Sequence, residues 1–116
     1  GAWDLRSPGW SVGLASYRGT LAFPDVNRDG LHDVCMRQGD GIYCAVTLRL
    51  CVLGVCSLRF AARSRWVAAF GDADGWDTHP SLWETIQFAD VDGARGADVC
   101  GRGYGGVWCG LRTVAR

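Results

Sequence analysis

The chain has 116 residues and a formal net charge of +0, with 48% hydrophobic and 21% charged side chains. That length suits one domain of modest core, and the composition excludes a disordered polar tail. The neutral balance of 12 basic against 12 acidic residues argues against a polyelectrolyte partner, whether nucleic acid or anionic bilayer.

The chain starts at Gly1, with neither Met nor an apolar leader, as a processed product or an excised fragment does. Apolar runs are short, β-branched or aromatic and punctuated by Gly and Asp, and helical spacing is absent. The pattern predicts strands near 20–24, 33–37, 42–50 and 55–60, then near 85–89, 98–102 and 106–111. The longest apolar stretch, 42–60, contains Arg49 and Arg59 and breaks at Gly54, so no membrane span is expected and the protein is read as soluble.

Two of these strand groups are copies. At a constant offset of 65, Phe23, Asp25, Val26, Asp33, Val34, Cys35, Arg37, Gly41 and Cys44 recur as Phe88, Asp90, Val91, Asp98, Val99, Cys100, Arg102, Gly106 and Cys109. Upstream the match continues with one residue of slippage, Gly9-Trp10 answering Gly75-Trp76 and Tyr17 answering Trp83. The chain therefore divides into units 1–65 and 66–116. The second is the shorter and is completed by an N-terminal strand, from its own or a neighbouring chain. Four short strands per unit predict an all-β fold of two four-stranded antiparallel propeller blades. Two blades cannot close a ring, so a larger ring is expected, formed by homo-oligomerisation or by a longer parent chain.

Residues 25–33 read D-x-N-x-D-G-x-x-D. Asp25, Asn27 and Asp29 alternate as oxygen donors, Gly30 permits the turn, the Leu31 carbonyl follows, and Asp33 closes the set. A hard cation wants this arrangement, and calcium takes six to eight such oxygens. The alternative is an Asx-rich turn with solvated carboxylates. The second copy keeps Asp90, Asp92 and Asp98, but Ala94 replaces a donor and Arg95 stands where the glycine should be, so this loop is expected to be degraded. Asp72 and Asp74 form a further acidic turn that lacks the remaining donors and reads as plain loop.

The six cysteines fall as Cys35/Cys44, Cys100/Cys109 and Cys51/Cys56. The first two pairs flank glycine turns at matching positions, which suits hairpin bridges worth about 2–3 kcal/mol each. The third straddles Leu53-Gly54 and can bridge a tighter hairpin. Zinc is disfavoured, since neither His32 nor His79 lies beside a close cysteine pair. Three bridges imply an oxidising compartment, hence a secreted or extracellular protein.

The loop, its Phe-x-Asp-Val lead and its Gly-x-x-Asp-Val exit resemble the FG-GAP/VCBS repeats of integrin-α-like β-propellers. The Asp-Val-Cys-x-Arg hairpins resemble those of secreted bacterial repeat proteins and propeller lectins. The resemblance implies a propeller with calcium in its strand-connecting loops and, as in such lectins, carbohydrate as ligand. Trp10 and Trp76, which follow glycine on polar loops, are then the candidate sugar-facing aromatics, and Arg37 and Arg102 either hold a carboxylate or meet the ligand. The leading reading is a calcium-stabilised, lectin-like unit whose assembly into a ring multiplies weak sites. The alternative is a non-catalytic protein-adhesion or scaffold module of a larger secreted protein. No enzyme is expected: there is no G-x-S-x-G elbow, Glu84 has no carboxylate partner at fixed spacing, and no Gly-rich phosphate loop opens a helix.

Overall fold

The computed structural model describes residues 7–89, 98–103 and 106–110. A helical turn α1 (Ala15–Arg18) precedes strands β1 (Val34–Gln38), β2 (Gly41–Ala45), β3 (Thr47–Val52), β4 (Val55–Phe60) and β5 (Ser64–Val67). A 3-10 turn at Asp72–Asp74 leads to a second helical turn, α2 (Pro80–Trp83), and to strands β6 (Gln87–Ala89), β7 (Asp98–Gly103) and β8 (Gly106–Gly110). The strands form three small antiparallel sheets, in the orders β1-β2-β5, β3-β4 and β6-β7-β8.

These open sheets overturn the expectation of two four-stranded propeller blades, and with it the homo-oligomeric ring. Two local causes account for the difference. The predicted strand at 20–24 shrinks to a single bridge, Ala22 to Cys35, because Pro24 has no N–H to continue the ladder and the acidic loop begins there. The predicted strand at 42–50 breaks at Val46, whose carbonyl accepts the Ala61 N–H. Beyond that break β3 and β4 pair only with each other, while β5 takes the free edge of β2. No sheet among the described residues then reaches the four strands of a blade.

The duplication itself is written into the hydrogen bonds, at 65 residues throughout. The Thr20 hydroxyl donates to the Tyr17 carbonyl and accepts the Arg37 N–H, and the Thr85 hydroxyl donates to the Leu82 carbonyl and accepts the Arg102 N–H. Helical turns α1 and α2 occupy matching residues at the same offset, so Tyr17 matches Leu82 rather than Trp83, and the slippage of one residue falls upstream of α1, where Gly9-Trp10 stands 66 residues from Gly75-Trp76. Both side chains are buried, which is what the matched position requires.

The core lies where the two copies meet. Val26, Cys35, Ile42, Cys44, Phe70, Trp76, Leu82 and Val99 form its buried cluster, with Phe70 and Trp76 packed edge to face at 4.6 Å. Three disulfides, Cys35–Cys44, Cys51–Cys56 and Cys100–Cys109, each join residues directly opposite one another on paired strands. Val26 anchors the acidic loop from within this core, and every residue of 49–59 on the β3–β4 hairpin is exposed.

Candidate metal centre

Asp25, Asp29 and Asp33 converge, each with a carboxylate oxygen within 4.8 Å of the others. The loop reaches this shape through its own backbone. Arg28 and Gly30 take left-handed φ values of 59° and 85°, which fold the chain back on itself. Asp25 receives the N–H groups of Asp29 at 3.2 Å and Gly30 at 2.9 Å, and Asp29 receives that of Leu31 at 2.9 Å. Carboxylate oxygens can accept more than one partner, so these bonds orient the donors without exhausting them. The three-carboxylate cluster can therefore coordinate a divalent cation.

The Asn27 carboxamide faces the same oxygens. With its nitrogen turned inward it donates to Asp25 Oδ1 at 3.2 Å and to Asp29 Oδ1 and Oδ2 at 3.0 and 3.2 Å. With its oxygen turned inward it would offer one more oxygen donor beside the three carboxylates. Leu31 is half-buried beside the cluster.

Asp33 is the structural root of the site. It is fully buried, and its oxygens accept the Val26 N–H at 2.9 Å and the Thr47 N–H at 2.7 Å. Burial pushes its carboxyl above the ordinary range. The two N–H groups oppose that rise, and the charges of Asp29 and Asp25 add to it. The Thr47 hydroxyl also donates to the His32 carbonyl at 2.6 Å, so the loop ends by gripping the first residue of β3. His32 itself points elsewhere, its Nδ1–H donating to the Phe23 carbonyl at 2.7 Å. Sequence reasoning had no signal for Thr47, which lies fourteen residues beyond Asp33 in β3 and holds the loop through both its backbone N–H and its hydroxyl.

Of the second acidic loop, Asp90 and Asp92 lie outside the described residues, and Asp98 is buried at the start of β7. The candidate ligand-contact residues do not share a surface. Arg37 is wholly buried. Its Nε donates to the Ser16 carbonyl at 3.0 Å, its Nη1 donates to the Phe70 carbonyl at 3.2 Å and to Asp72 Oδ1 at 2.7 Å, and its Cζ lies 4.9 Å from the Tyr17 ring centre. The Tyr17 hydroxyl completes the cluster by donating to Asp72 Oδ2 at 2.6 Å. Asp72, which read as plain loop, is thus the carboxylate held by Arg37. The spacing of 35 residues between them hid the pair from sequence.

Trp76 is buried against Phe70, and Trp10 is tied by its Nε1 to Ser7 at 2.9 Å. Arg102 is exposed and lines a shallow cleft that shares no residue with the one lined by Trp76. The Trp76 cleft, about 420 Å³, is walled by Phe70, Trp76, Leu82 and Trp108, with Asp74 as its only charged residue among the described residues. A sugar needs several polar groups converging beside an aromatic face, and these residues do not supply them. The lectin-like function and the carbohydrate partner are corrected accordingly.

No protein-family model matches the chain, and no curated protein or solved structure gives a match either. Together with the open sheets, this overturns the assignment to FG-GAP/VCBS propellers, leaving a likeness confined to the loop and hairpin motifs. Among the described residues no helix is long and apolar enough to cross a membrane.

Proposed function

We propose that the chain is a non-catalytic adhesion or scaffold module of a secreted protein, in which calcium orders loop 25–33 and thereby fixes the base of the β3–β4 hairpin. The observation that carries this reading is the convergence of Asp25, Asp29 and Asp33, with Asn27 facing them. Two oxygens on one calcium at about 2.4 Å can lie no further apart than about 4.8 Å, the spacing these carboxylates meet. Their mutual repulsion is what a bound cation relieves. Because Asp33 holds Thr47, any gain in loop order passes directly to β3. Three disulfides support an oxidising, extracellular setting.

Thermal melting with calcium and with a chelator tests the proposal. Saturating calcium should raise the melting temperature by roughly 5 °C or more, since a ligand at a hundred times its Kd adds about 2.7 kcal/mol. Asp29→Ala, at an exposed position, should abolish that shift while leaving the chelated protein folded. No shift, or an equal shift in the variant, would sink the reading.

A further inference from the structure

The net charge of +0 conceals an uneven distribution. From residue 41 to residue 71 the chain carries Arg49, Arg59, Arg63 and Arg65 and no Asp or Glu. Arg63 is spent internally, donating to the Gly9 carbonyl at 2.7 Å and lying 4.7 Å from the Tyr43 ring centre, and Arg65 meets Asp40 at 3.4 Å. Arg49 and Arg59 are exposed on the β3–β4 hairpin, and no carboxylate among the described residues pairs with either.

Ahead of these two arginines the hairpin presents an apolar tip. Leu53 is 99% exposed, Val55 73% and Val52 68%. The two-residue turn has φ of 52° at Leu53 and 81° at Gly54, the conformation for which Asn-Gly is the ordinary choice. A leucine here is strained locally and touches nothing that compensates the fold, as happens where a residue is kept for contact with something else. The Cys51–Cys56 bridge directly behind holds the tip in shape, so little ordering entropy remains to be lost on contact.

We propose that this hairpin docks end-on into an anionic lipid surface, with Val52, Leu53 and Val55 entering the interface and Arg49 and Arg59 meeting the lipid phosphates. Arg49 pairs across the hairpin with Leu58 and Arg59 with Leu48, which puts the two cations on opposite faces. A protein surface flanking one face would use one of them, whereas end-on entry uses both. The arginines stand three and four residues behind the tip, roughly 10 and 13 Å along the strands. Interfacial elements enter roughly 5–10 Å, so the long side chains reach the headgroup phosphates. The overall balance that argued against an anionic bilayer is a sum over the whole chain and does not describe this end of it.

This inference gives the adhesion reading its partner and rests on it, but the hairpin tip is held by Cys51–Cys56 and by its own strand pairing rather than by the calcium loop, so the two tests fail separately. The full chain is sedimented in chelating buffer with vesicles of phosphatidylcholine plus phosphatidylglycerol and with phosphatidylcholine alone. Partitioning should favour the anionic vesicles by roughly 25-fold, each of the two arginines near the surface contributing about fivefold, and should weaken with salt. Leu53→Asn supplies the residue the turn prefers: its melting temperature should not fall, yet its partitioning should drop roughly tenfold. The double variant Arg49→Ala, Arg59→Ala should lose the preference for anionic vesicles. Absence of sedimentation with either vesicle, which is what a hairpin built for a protein partner gives, would overturn the proposal. So would Leu53→Asn partitioning like the parent.

Discussion

The hairpins β1–β2 and β7–β8 carry the same cysteine pair, the same arginine and the same glycine at matched positions, yet their surroundings differ. Cys35, Cys44, Arg37 and Ile42 are sealed, whereas Arg102, Val107, Trp108 and Cys109 on the second hairpin are exposed. In the first sheet β5 covers the outer edge of β2, and Asp72 follows it to hold Arg37. In the second, β8 pairs only with β7 among the described residues. The segment 61–76 lies between the two copies of the hairpin; it adds a strand and a carboxylate to the first, while Val67, Phe70 and Trp76 lie against Gly101, Gly103 and Gly110 on one face of the second. Motif sequence thus sets hairpin geometry twice, while burial, and the stability that comes with it, is conferred from outside the motif.

The arginines should separate the two hairpins most widely. Arg37→Ala removes a buried cation that bonds two carbonyls and a carboxylate, and should cost about 3 kcal/mol in urea unfolding. Arg102→Ala, at an exposed position, should stay within about 0.5 kcal/mol. Equal costs would mean that cover does not distinguish the copies.

The glycines give a smaller contrast. Gly41 and Gly106 have φ of 145° and 146°, so alanine is strained at both. At Gly41 the added methyl also runs into the Val67 carbonyl of β5 and lies 3.2 Å from Ala68 Cα, while at Gly106 it meets open space. Gly41→Ala should therefore cost about 1–3 kcal/mol more than Gly106→Ala in the same unfolding measurement.

What the sequence disclosed follows the same division. The nine-residue loop, the cysteine pairs and the 65-residue offset are local or self-similar patterns, and each is legible because chain neighbours or matched copies carry the signal. The sheet order was not legible. The run after Ala45 leaves the first sheet, with Val46 bonded to Ala61 and Thr47 paired with Phe60, long-range contacts that no local pattern encodes. The strand expected at 20–24 had the right composition, but Pro24 ended it. Trp76 follows a glycine on a polar loop and reads as ligand-facing, yet Phe70 and Gly101 provide a site for its ring: a methyl on Gly101 would lie 3.0 Å from it. The Arg37–Asp72 pair joins residues from separate segments, and such pairs are invisible to spacing.

That pair also gives the first hairpin an acid sensitivity. Burial alone would raise the Asp72 carboxyl, but the Tyr17 hydroxyl and the Arg37 guanidinium outweigh it and hold the group below its ordinary value of 3.8. A carboxyl lowered in the folded state contributes stability that is present above its unfolded value and is lost as pH falls below it. Asp33, raised by burial, acts with the opposite sign, so the acid response of the parent alone mixes the two. Asp72→Asn keeps a hydrogen-bonding side chain while removing the titration, and leaves Asp33 in place. Urea midpoints for both proteins in chelating buffer, from neutral pH down to about pH 3, should converge as the parent loses the Asp72 contribution. The difference should be largest at neutral pH and should shrink only below the ordinary carboxylate range. A difference that holds constant with pH would mean that Asp72 acts through packing and geometry, and that its charge is already satisfied by solvent.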